Sequence, residues 1–114
     1  MSTLDEAMGY LADHARWKFA GQGTGNVAAG KVTIPDNAQM VYVEILAGAA
    51  TYTGMAPAPF SSARWMIGGY WYSASDYGLC NLNVSNNGKT FQIRYAVFNK
   101  TDYSSSATLK VYYQ

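Results

Sequence analysis

Several chemistry-bearing residue types are nearly missing from this chain: its 114 residues include one cysteine, Cys80, one histidine, His14, and three prolines. A single thiol rules out an internal disulfide framework, and a single imidazole rules out most zinc sites and histidine-based metal clusters. Charge is scarce too. Charged residues make up 13% of the chain, roughly half the usual quarter. The 8 basic residues nearly balance the 7 acidic ones, leaving a formal net charge of +1. Such a chain has no basic field to displace counterions from a phosphate backbone, which argues against a dedicated nucleic-acid binder. There is no run of about 18 apolar residues, and no basic segment followed by an apolar stretch at the N-terminus. Neither a membrane span nor a secretory signal is therefore expected, and the mature chain is expected to start as written.

What is abundant is apolar and aromatic: 49% of residues are hydrophobic and ten are tyrosine. Disorder is excluded on that ground, and solubility falls to hydroxyls, amides and glycine. A chain of 12.4 kDa buries about two-thirds of its unfolded surface on folding, enough for one domain without disulfide or metal staples.

The first residues carry a helical signal. Thr3 and Glu6 have capping-box spacing, Asp5 and Glu6 suit the helix dipole, and Leu4, Ala7, Met8 and Leu11 fall on one stripe. The spacing predicts a short helix over Leu4 to Asp13, a docking element for this domain or a neighbouring subunit. The organisation expected is thus a helix within residues 1–14 and a β domain over 15–114.

Beyond His14 the period becomes alternating. Ala15, Trp17 and Phe19 form one parity, and the glycine-rich stretch Gly21 to Asn26 is expected to end that strand. Val32 and Ile34 mark a short strand. Met40 to Ala47 is apolar on both faces and is expected to be central. Ala50 to Met55 reads as a weak edge strand, followed by an irregular connection through Pro57 and Pro59. Arg64 to Ser73 is a ring-rich strand in which Trp65, Ile67 and Trp71 share one parity, with a bulge or a close backbone approach expected at Gly68-Gly69. On that parity Trp65 and Trp71 are assigned to the core.

The clearest local signal spans Leu79 to Phe98. Asn87-Gly88 suits a type I′ turn, because both residues tolerate positive φ. Taking those two as the loop pairs Val84 with Phe91, Leu82 with Ile93 and Cys80 with Tyr95, all on one face, so turn chemistry and hydrophobic period agree on one register. A final strand follows over Ala107 to Tyr113. About seven or eight short strands at roughly ten-residue spacing predict an all-β, antiparallel, jelly-roll-like sandwich behind the short helix.

Catalytic constellations are hard to assemble from this inventory. Five of the seven acids lie in a helix start or in turns, where short acids act as caps. Glu44 is the one strand acid and is read as a solvated or edge residue. His14 ends the predicted helix, where an imidazole suits the dipole, and Cys80 is placed on a buried face, where a thiol is inert. Gly21 to Gly25 lacks the lysine and following helix of a phosphate loop. The chain is therefore read as non-enzymatic, with no cofactor and no metal site.

Surface recognition remains. Tyr70, Tyr72, Asp76 and Tyr77 put amphipathic rings beside small polar groups, and Asp102 and Tyr103 do so in a serine-rich loop. Rings with few rotors beside adaptable hydroxyls and amides suit protein or sugar surfaces. These six are the candidate ligand-binding residues.

Val41-Tyr42-Val43-Glu44-Ile45, Gly69-Tyr70-Trp71-Tyr72-Ser73 and the ending from Asn99 to Tyr113 resemble the terminal β domains of phage tail-fibre and minor virion structural proteins. The resemblance covers roughly residues 16–114 and implies a non-enzymatic virion component made in the bacterial cytoplasm. It also implies a homo-oligomer, usually a trimer, with other virion proteins as partners and outer loops touching a host-surface glycan. Such fibres commonly carry a long shaft, whereas only Met1 to His14 precede the first strand here. That leaves room for a decoration, collar or baseplate-associated subunit. The residues alone leave a second reading open, a free-standing carbohydrate-binding module.

Overall fold

Strict alternation in Val41, Val43, Ile45 and Ala47 fixes the layering, because all four are fully buried while the residues between them face outward. The computed structural model describes residues 16–114, of which 63% lie in strands. In chain order these are β1 (Lys18–Thr24), β2 (Val32–Thr33), β3 (Met40–Ala47), β4 (Ala50–Pro57), β5 (Arg64–Ser73), β6 (Asp76–Ser85), β7 (Thr90–Phe98), β8 (Thr101–Asp102) and β9 (Thr108–Tyr113). The predicted helix over Leu4 to Asp13, and the boundary at residue 14, lie outside the described residues.

Two antiparallel sheets form a sandwich-like arrangement. The first has the order β1-β9-β3-β4, and the second β2-β7-β6-β5, with β8 also paired to β7. Met40 to Ala47 is central, as its two apolar faces predict. Between the sheets, β3 and β9 contribute Val41, Val43, Ile45, Leu109 and Val111, and the second sheet contributes Trp65, Cys80, Leu82, Phe91, Ile93 and Ala96. The two sheets are also tied directly, by the Tyr52 hydroxyl donating to the Val97 carbonyl at 2.7 Å. Lys18 in the first strand lies opposite Tyr113 in the last, so the described chain enters and leaves at one end of the sandwich.

Three expectations are corrected. Gly21 to Thr24 does not end a strand but continues β1, because a register shift between Phe19 and Gly21 absorbs the irregularity. Gly23 packs so closely on the Gly30 backbone that a Cβ would lie 2.7 Å from its Cα, which is why glycine serves inside a strand here. Phe19 accordingly faces outward and is exposed. The second correction concerns the β6–β7 register. Val84 pairs with Phe91 and Leu82 with Ile93 as predicted, but a shift between Asn81 and Leu82 leaves Arg94 unpaired. Cys80 therefore lies opposite Ala96 instead of Tyr95, and Tyr95 points outward. The third correction is the turn itself. The strands close on the pair Ser85 and Thr90, so the turn is four residues, Asn86 to Lys89, of which Asn86, Asn87 and Gly88 have positive φ, at 53, 56 and 87°.

The outer face of the first sheet carries an apolar row across all four strands. Phe19, Tyr112, Tyr42 and Met55 are successive cross-strand partners. The Phe19 and Tyr112 rings are 5.3 Å apart, those of Tyr112 and Tyr42 5.8 Å, and Trp17 approaches Tyr42 at 5.7 Å.

Candidate functional site

The strand β5 begins inside the sandwich with Trp65 and ends outside it. A register shift between Met66 and Gly68 inserts one residue, and an inserted residue reverses the facing of everything beyond it. Trp71, assigned to the core with Trp65 by simple alternation, is consequently 71% exposed, and Tyr72 is 82% exposed. A second shift between Trp71 and Ser73 bends the strand once more as it reaches the hairpin end.

Four of the six candidate residues gather there. The Tyr70 hydroxyl donates to Asp76 Oδ1 at 2.6 Å and accepts from the Asn99 backbone N–H at 3.0 Å. Trp71 stacks on its cross-strand partner Tyr77, with centroids 5.3 Å apart and planes 24° from parallel. The Lys100 backbone N–H donates to the Tyr77 carbonyl at 2.9 Å. Asn99 and Lys100 reach these positions with φ of 49 and 64°, so the β7–β8 turn buttresses the hairpin. The Asp76 carboxylate, which accepts the phenol proton, holds the Tyr70 pKa above its ordinary value. Asn99, Lys100 and Trp71 belong to this end but were not among the six candidates. The Asn-Lys pair between two strands was the available signal for the turn.

Gly78 explains why the rings stand where they do. A Cβ there would lie 2.6 Å from Tyr70 Cε1 and 2.8 Å from the Val97 carbonyl oxygen, and would overlap the Tyr52 hydroxyl. The missing side chain lets Tyr70 fold over β6 and lets Tyr52 reach Val97.

Asp102 and Tyr103 lie apart from that ring group in their contacts. Asp102 accepts hydrogen bonds from the Ser104 backbone N–H at 2.8 Å and from the Ser104 hydroxyl, whose oxygen in turn accepts from Ala96 N–H at 3.0 Å. The Tyr103 ring packs over Gly48, where a Cβ would meet its hydroxyl oxygen at 2.7 Å. Ser104 bonding, first through its hydroxyl and then through its backbone, lowers the Asp102 pKa. A depressed folded-state pKa contributes stability above the unfolded value of about 3.9, lost as pH falls through the lower folded value. Asp102→Asn is expected to destabilise the domain by about 0.5–1 kcal/mol at pH 7, allowing for solvent screening of an exposed carboxylate. The gap from the parent should close in acid. Urea midpoints at pH 7 and below pH 4 check this.

Elsewhere, Cys80 is fully buried and desolvation pushes its pKa up to about 12, so the thiol stays protonated. Glu44 accepts a hydrogen bond from the Tyr42 hydroxyl at 3.1 Å on the outer face of the first sheet. Among the described residues no group of three or more His, Cys, Asp or Glu side chains could hold a metal ion. At the opposite end of the sandwich an open depression of about 260 Å³ lies between Phe60–Ala63 and Val84–Gly88. Comparison with protein-family models, curated proteins and solved structures found no match.

Proposed function

We propose that this chain is a non-enzymatic structural domain of a phage tail-fibre or related virion protein. In this reading it works as a homo-oligomer, trimer favoured, among other virion proteins, and turns its ring-bearing end toward host-surface glycan. The observation that carries the reading is the pair Trp71 and Tyr72, large rings left in water on a hairpin end braced by Tyr70, Asp76 and Asn99. Exposed rings with few rotors on a braced support bind with little ordering cost. The jelly-roll-like character belongs to the same proposal. What supports it is that the first three strands alternate between the sheets.

The test is a glycan array followed by titration of any hit. Trp71→Ala and Tyr72→Ala are expected to weaken binding by about 1–2 kcal/mol each, roughly tenfold or more. Tyr72→Ala should leave the melting temperature unchanged because that side chain is exposed, whereas Trp71→Ala also loses the stack on Tyr77 and should melt slightly lower. An array with no hit, or affinity indifferent to both substitutions, removes the glycan role. Glycan binding by a strict monomer instead makes the chain a free-standing carbohydrate-binding module.

A further inference from the structure

Asn81 sits near the middle of the outer face of the second sheet, opposite Met66 of β5 and Tyr95 of β7. Its neighbours along the strand, Cys80 and Leu82, point into the core and are fully buried, which fixes the Asn81 side chain outward. Although outward, it is only 4% exposed. Its Nδ2 reaches nothing better than the Met66 sulfur at 3.6 Å, and its Oδ1 has no partner at all. An orphaned buried amide oxygen is costly, and a leucine would avoid the cost in a domain that kept this face to itself.

The surroundings are apolar and open. Met66 is 61% exposed, and Leu79 and Tyr95 are exposed as well. Two arginines flank the patch: Arg64 donates to Asn83 Oδ1 at 2.8 Å, and Arg94 lies over the Tyr95 ring at 5.1 Å. Met66, the side chain above the amide, is an unbranched thioether and yields readily to a new neighbour.

We infer that this face is where copies of the chain meet, with the Asn81 amides hydrogen-bonding one another across the symmetry axis inside a ring of Met66, Leu79 and Tyr95. An amide is its own complement. In a closed symmetric contact each copy donates one Nδ2–H and accepts at one Oδ1, so no Oδ1 is left over, whether two or three copies close the ring. The occupant is a second copy because the patch itself supplies both halves of the hydrogen bond and the apolar surface to shield it. A buried Asn at such a place also fixes register and copy number. The inference rests on the homo-oligomer part of the proposed function and adds the face that performs it.

Light scattering on the full chain, with disulfide cross-linking through one introduced surface cysteine, the native Cys80 being fully buried, tests it. The parent is expected at a whole multiple of 12.4 kDa. Leu79→Lys is expected to fall to the monomer mass, while Met55→Lys on the first sheet keeps the parent mass. Met66→Cys is expected to cross-link to its own copy on oxidation, and Met55→Cys is not. Asn81→Leu should stay folded and still associate, but as a mixture of copy numbers. An oligomer that ignores Leu79→Lys and cross-links through Met55→Cys overturns the assigned face while leaving oligomerisation intact. One unchanged copy number in Asn81→Leu overturns the role of the amide. A parent that is monomeric at all concentrations removes the homo-oligomer reading itself.

Discussion

Truncating Phe91 to alanine is expected to lower the unfolding free energy by about 3–5 kcal/mol, the range for deleting a fully buried aromatic ring. The ring is completely inaccessible and lies between its cross-strand partners Val32 and Val84. It meets Trp65 edge-on, with centroids 5.9 Å apart and planes at 61°. Trp65 in turn stacks on Phe60 at 4.7 Å and 21°. Removing Phe91 thus leaves a cavity and unsupports a chain of three rings reaching the connection before β5. Small domains are stable by only about 5–15 kcal/mol, so one residue should remove a large share of the total. Urea unfolding of Phe91→Ala should show a much lower midpoint at an unchanged slope. A loss below about 1 kcal/mol would mean that Phe91 is not part of the core that holds the sheets together.

Gly88→Ala is the second large effect, and its cause lies in the backbone. Gly88 has φ of 87°, and a left-handed conformation costs an L side chain about 1–2 kcal/mol. A Cβ there would also overlap the Phe60 carbonyl oxygen and approach the Phe60 nitrogen to 2.7 Å, where Phe60 N–H now donates to the Gly88 carbonyl at 3.0 Å. Neither contact is with a flexible side-chain end, so the turn or the Phe60 segment must move. A loss of about 3 kcal/mol is expected, from backbone strain plus overpacking. Asn87→Gly, one residue earlier at φ 56°, relieves local strain and should be nearly neutral by comparison. Thermal unfolding of the two variants side by side reads the contrast, and equal midpoints would contradict it.

The same turn shows how much of the architecture could be read from residues. The alternation in Met40 to Ala47, and the pairing of Val84 with Phe91 and of Leu82 with Ile93 about Asn87-Gly88, hold because each rests on two signals that agree, hydrophobic period and strand ends or turn chemistry. The strand from Arg64 to Ser73 has its predicted limits for a similar reason. Facing failed wherever one inserted residue broke the pleat: Arg94 turns Tyr95 outward, the shift beside Ile67 turns Trp71 outward, and the one after Phe19 lets β1 run on through its glycines. Gly68-Gly69 marked the β5 bulge to within a residue, but bulges are set by long-range packing and the local pattern did not say which residue is inserted or that the facing reverses beyond it. At the candidate site, Tyr70, Asp76 and Tyr77 fall close in sequence, and their proximity was legible. Asn99 and Lys100 were not, since β6 runs back to Asp76, beyond the predicted start at Leu79, and that extension brings the turn against Tyr70 and Tyr77. Nor was the separate bonding of Asp102 and Tyr103 legible, because it depends on Ser104, Ala96 and Gly48.

The pairing of Lys18 with Tyr113 makes the described domain a one-handled tool. The start of β1 and the end of β9 sit together at the foot, and the rings at the Tyr70–Tyr77 hairpin are the far end of the lever. A tether at either point would therefore leave the ring-bearing end equally free, so the domain could be grafted onto an unrelated support through one joint. Tension applied between those two points would peel β1 from β9 bond by bond, starting at the foot. The rings would be the last part of the molecule to feel the load.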